Sequence, residues 1–119
     1  MTPKLTAGRR LRQEMDAALK RAGEAIGQTL EWDEAEELML TRAAGCADRA
    51  EGLQRTYDAE LAGEARATML TRLSAEMRAL DKQTVDLVRS VHVGVGVPKS
   101  ITHQKAARSR WDRQPGRSA

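Results

Sequence analysis

Few residues in this chain have the chemistry of a reactive site, and their spacing argues against a catalytic centre. Cys46 is the sole cysteine. A reactive thiol needs a base or a positive surrounding to hold its thiolate, whereas Cys46 falls among alanines at an apolar position of a helical repeat, where cysteine serves as a small buried hydrophobe. His92 and His103 stand eleven residues apart with no second His or Cys beside either, which is not the clustering of a metal site; His92 reads as a helix-end residue facing the negative end of a dipole. Glu31, Glu34, Glu36 and Glu37 resemble an acid-base cluster, but they precede an apolar repeat and read as capping and solubilising residues. Gly94-Val95-Gly96 lacks the strand, third glycine and helix start of a dinucleotide loop. The expectation is a protein that is not an enzyme, with no catalytic residue, metal, cofactor or small-molecule substrate.

Binding chemistry is concentrated at the two ends. Near the start lies the basic run Arg9, Arg10 and Arg12; near the end lie Lys99, Lys105, Arg108, Arg110 and Arg113, with Trp111 among them. Arginines in such groups suit phosphates or carboxylates, and a tryptophan on a basic helix suits a pocket on a partner or a nucleic-acid surface. The net charge of +3 conceals this division. Residues 1–27 hold six Lys/Arg against three Asp/Glu, residues 28–98 eight against thirteen, and residues 99–119 six against one. Basic ends around an acidic middle fit DNA, an acidic protein surface, or plain solvation.

The elements that carry these groups read as helices. The 119 residues contain no Phe, one Tyr and two Trp, and the apolar share of 40% is mostly Ala, Leu, Val and Met, residues that favour packed helices over sheets. The fold class expected is all-α. A lone cysteine excludes an intramolecular disulfide, and no apolar run is long enough to span a bilayer, nor does the start lead into a signal-peptide core. A soluble, cytoplasmic protein is expected, in the host cell if viral.

Four regions follow from the pattern: a basic N-terminal helical segment (1–30), a helical hairpin (31–92), a linker (93–100), and a basic C-terminal helix with a tail (101–119). In the first, Leu11, Met15, Leu19, Ala22 and Ile26 recur at helical spacing from about Thr6, and Gly8, Gly23 and Gly27 weaken that helix. Asp33 followed by Glu36 marks a capping box opening a second helix to about Ala62. Gly63 is expected to supply the left-handed residue at its end, before a short connection through Arg66. Alternating Val and Gly before Pro98 then breaks the third helix, and Ser100 can cap a short helix to about Asp112.

Within the hairpin, one seam runs through Met39, Ala43, Cys46, Ala50, Leu53, Tyr57 and Leu61. The other runs through Leu70, Leu73, Met77, Leu80, Thr84, Leu87 and Val91. Steps of three and four are the rhythm of coiled-coil-like packing, and a short connection favours antiparallel arms, each about 40 Å long at 1.5 Å per residue. Two such arms leave Leu38, Leu40, Met69, Val85 and Val88 beside the seams. Exposing side chains of this size forgoes roughly 1.5–3 kcal/mol each, so the first helix, other copies of the chain, or both are expected to cover them.

The order of parts resembles the phage terminase small subunits, and in particular small packaging proteins of actinobacterial phages and prophages. The residues carrying the resemblance are Leu61-Ala62-Gly63-Glu64-Ala65-Arg66 at the turn, and Gly94-Val95-Gly96-Val97-Pro98-Lys99-Ser100 leading to Ala106-Ala107-Arg108-Ser109-Arg110-Trp111. It implies a non-enzymatic homo-oligomer that binds DNA, works with the large terminase subunit, and regulates the motor housed in that partner. Many such subunits begin with a helix-turn-helix, whereas residues 1–30 here carry a single helix pattern. A second reading stays open: a structural or scaffolding coiled-coil adaptor whose basic tail docks on protein.

Overall fold

A computed structural model describes residues 4–91. Among them are three α-helices and no strand: α1 (Ala7–Ile26), α2 (Glu34–Ala62) and α3 (Ala67–Val91). The expected linker, the C-terminal helix with its basic residues and Trp111, and both histidines lie outside the described residues.

The chain groups into two compact units. One contains 4–14 and 33–91, so the first residues of α1 belong with α2 and α3; the other contains 15–32. In the larger unit, α2 starts where its capping box requires. Asp33 Oδ1 accepts from the Glu36 N–H at 2.8 Å and Glu36 Oε1 accepts from the Asp33 N–H at 3.0 Å, which satisfies two otherwise orphaned donors. Glu34, Glu36 and Glu37 in the first turn complement the positive end of the dipole. Glu36 is also buried, so it is more than the solubilising residue expected of it.

The left-handed residue between α2 and α3 is not Gly63. Gly63 has φ −98°, and the positive angle falls on Ala65, at 51°. Ala65 is held there by its N–H donating to the Glu60 carbonyl at 2.7 Å, while the Glu60 side chain grips Arg66. The connection is thus fixed by Glu60, and Gly63 instead allows the chain to pass the last turn of α2: a Cβ there would sit 3.2 Å from the Ala59 carbonyl.

α3 packs against α2. Of the seam positions, Ala43, Cys46, Leu73 and Val91 are buried, and Met39, Leu53, Tyr57, Leu70, Met77, Leu80 and Leu87 are half-buried. Leu61, near the end of α2, is 55% exposed, and the first residues of α3, Ala67 and Thr68, are exposed as well. Leu40, one of the flanking residues expected to need cover, is fully buried within one copy. Leu38 and Val85 stay 55% and 47% exposed, and Met69 and Val88 are half-buried.

In the smaller unit, α1 ends as expected at Gly27. The Gln28 N–H donates to the Gly23 carbonyl at 2.9 Å and the Gly27 N–H to that of Glu24 at 3.3 Å, with Gly27 at φ +67°, the bonding of a Schellman cap. Trp32 Nε1–H donates to Asp16 Oδ1 at 2.8 Å, tying the following loop to α1. Gly23 is buried where a Cβ would overlap the Gln28 carbonyl, so it is a packing requirement rather than a weak point.

Candidate functional site

The basic run near the N-terminus sits on the first turns of α1, where helix geometry leaves N–H groups without partners. Thr6 Oγ1 accepts from the Arg9 N–H at 3.2 Å, a local cap. Two further donors are met by carboxylates of α2: the Ala7 N–H by Glu51 Oε1 at 3.1 Å and the Gly8 N–H by Asp48 Oδ1 at 2.8 Å. Negative groups there also complement the helix dipole. The approach depends on Gly8, which is buried; a Cβ would overlap the Ala44 carbonyl and crowd the Asp48 carboxylate at 2.9 Å. Gly8, read from sequence as a weak point, is a docking requirement.

The arginines are drawn into the same contact. Arg10 Nη2 donates to Glu51 Oε2 at 3.0 Å and Nη1 to the Leu5 carbonyl at 2.6 Å, while Arg12 Nη2 donates to Glu37 Oε1 at 2.6 Å. Glu51 therefore receives a backbone N–H and a guanidinium, and its carboxyl titrates below the usual range, first because of the Ala7 hydrogen bond and then because of Arg10. Arg9 is exposed. Two of the three candidate phosphate-binding side chains are thus engaged by acidic residues of the chain itself.

Below this contact, α1, α2 and α3 border a groove of about 880 Å³. Its floor includes Ala47, Ala50 and Met77, and Lys4, Arg55 and Arg78 stand around it. At the turn, Glu60 accepts from Arg66 three times: from the backbone N–H at 2.9 Å, from Nε at 3.0 Å and from Nη2 at 2.7 Å. The guanidinium hydrogen bonds, followed by the backbone one, lower the Glu60 pKa to about 2 against the opposing effect of burial.

Cys46 is 1% exposed, with Arg49 Nη2 at 3.5 Å from its Sγ, as expected of a packing residue. Among the described residues no group of His, Cys, Asp and Glu could hold a metal ion, and no helix is long and apolar enough to cross a membrane. Lys99, Lys105, Arg108, Arg110, Trp111 and Arg113 lie outside the described residues. Sequence reasoning missed Asp48 and Glu51 as the receptors of α1. Their three-residue spacing beyond small Ala44 places them on one face of α2, a signal that acquires meaning only when a basic helix start needs a dock. Compared with known proteins, the chain matches no family model, no curated protein and no solved structure.

Proposed function

We propose that this chain is a non-enzymatic phage DNA-packaging adaptor of the terminase small-subunit kind. In this reading α2 and α3 form a long antiparallel hairpin through which copies assemble, in the cytoplasm of the host cell. The basic ends meet DNA, the large terminase subunit, or both. The observation that carries the self-association is the apolar surface one copy leaves open: Leu38 and Leu61 at 55% exposure and Val85 at 47%, beside a core in which few side chains are fully enclosed. Burying such groups between copies recovers roughly 1.5–3 kcal/mol for each fully covered side chain.

The pairing of Arg10 with Glu51 and of Arg12 with Glu37 favours the second reading, a structural or scaffolding coiled-coil adaptor whose basic tail docks on protein. DNA contact through those arginines requires phosphate to replace carboxylate. Titrating the full chain and a version lacking residues 99–119 with duplex DNA over a range of salt separates the two. A packaging adaptor loses affinity steeply as salt rises, because phosphate contacts release counterions. A scaffold shows no such binding, and deletion removes only capture of its protein partner.

A further inference from the structure

Arg49, Gly52 and Leu53 of α2 and Glu76 and Leu80 of α3 border a shallow groove of about 560 Å³ on the hairpin. Leu53 and Leu80 make it apolar and are only half-buried. Arg49 and Glu76 stand on opposite helices at its margin, exposed and opposite in charge, and they form no ion pair with each other. Among the described residues, the Arg49 side chain donates to Cys46 Sγ, at 3.5 Å.

Two glycines lie on the same part of α2, and packing among the described residues does not require either. A Cβ at Gly45 would meet nothing closer than Arg49 Nη1 at 3.6 Å, and one at Gly52 nothing closer than Arg55 Nη2 at 3.7 Å; both are ordinary contacts with the far ends of flexible side chains. This contrasts with Gly8 and Gly23, where backbone stands in the way. Glycine inside a helix lowers helix stability. Here it leaves the surface of α2 low enough for another backbone to come close.

We infer that this groove is the place where a second copy of the chain docks, through a two-fold contact that sets Arg49 of each copy against Glu76 of the other. The inference rests on the self-assembly part of the proposed function and specifies its contact. Charge selects the occupant. A groove bearing one cation on α2 and one anion on α3 is self-complementary, because a two-fold axis crossing the line between them exchanges the two positions and makes the pair twice. Leu53 and Leu80 of the two copies then cover one another, and Gly52 admits the approaching side chains.

The test is the self-association of the full chain, followed by sedimentation equilibrium, with helical content by circular dichroism as the control for folding. Arg49→Glu and Glu76→Arg each set like charges together twice and weaken self-association at least about tenfold. The double variant Arg49→Glu with Glu76→Arg restores it, because the reversed pair is again complementary. Glu76→Arg leaves the Arg49–Cys46 contact in place, so its effect does not depend on that bond. Gly52→Met fills the groove and weakens association in folded chains. The inference is overturned if folded single reversals associate as tightly as the unmodified chain, or if the double variant stays as weak as the singles. Assembly that persists through all of these variants removes this contact and leaves the broader self-assembly reading standing. An unmodified chain that is monomeric at high micromolar concentration removes both.

Discussion

Glu60 and Glu51 show how single carboxylates organise this chain. Each takes a backbone N–H and a guanidinium together, Glu60 from Arg66 alone and Glu51 from Ala7 and Arg10. Both are held below their ordinary titration range, Glu60 to about 2. A carboxylate with a lowered folded pKa adds stability that is complete above its unfolded value near 4.5 and is lost as pH falls towards the folded value. Acid titration followed by circular dichroism should therefore show helix loss beginning below pH 4.5 and continuing towards about 2, and Glu60→Gln should flatten that dependence. In the proposed packaging role, the same logic governs DNA binding at neutral pH. Because Glu37 and Glu51 compete with phosphate for Arg12 and Arg10, replacing both glutamates with Gln should tighten duplex binding a few-fold. Gln at 51 keeps an acceptor for the Ala7 N–H, so a gain in affinity would report charge rather than loss of the cap.

At the scale of elements, the glycines of α1 are the sharpest probes. Gly8→Ala places a Cβ into the Ala44 carbonyl and should cost about 1–3 kcal/mol, as overpacking does, with the loss read in denaturant melts. Leu73→Asp buries a lone carboxylate at a position only 7% exposed and should cost more than about 3 kcal/mol. Unchanged melting would remove α3 from the packed face. These contrasts explain what could be read in advance. The start of α2 and the end of α1 were legible because their signals are local: Asp33 needs only Glu36, and Gly27 needs only the carbonyls of the preceding turn. Gly8 was misread because its role depends on a contact between segments some 36 residues apart, between the first turn of α1 and Ala44. The left-handed position moved from Gly63 to Ala65 because the Glu60 carbonyl and side chain, not residue type at the turn, decide which backbone bends. The residues of the expected seam are buried or half-buried except Leu61, which is 55% exposed at the end of α2.

For the whole molecule, the proposed self-association depends on a balance of covered and uncovered apolar surface. α1 contributes its first turns to the α2 and α3 unit through polar contacts and a glycine approach, and within one copy Leu40 is buried while Leu38 and Val85 stay exposed. Ring, filament and dimer differ in how copies repeat, but all require that one copy is insufficient. The mass of the unmodified full chain in solution, measured by sedimentation equilibrium from low to high micromolar concentration, tests that requirement most directly. The account predicts a defined multiple of the chain mass throughout the upper part of the range. A single-chain mass at every concentration would contradict it.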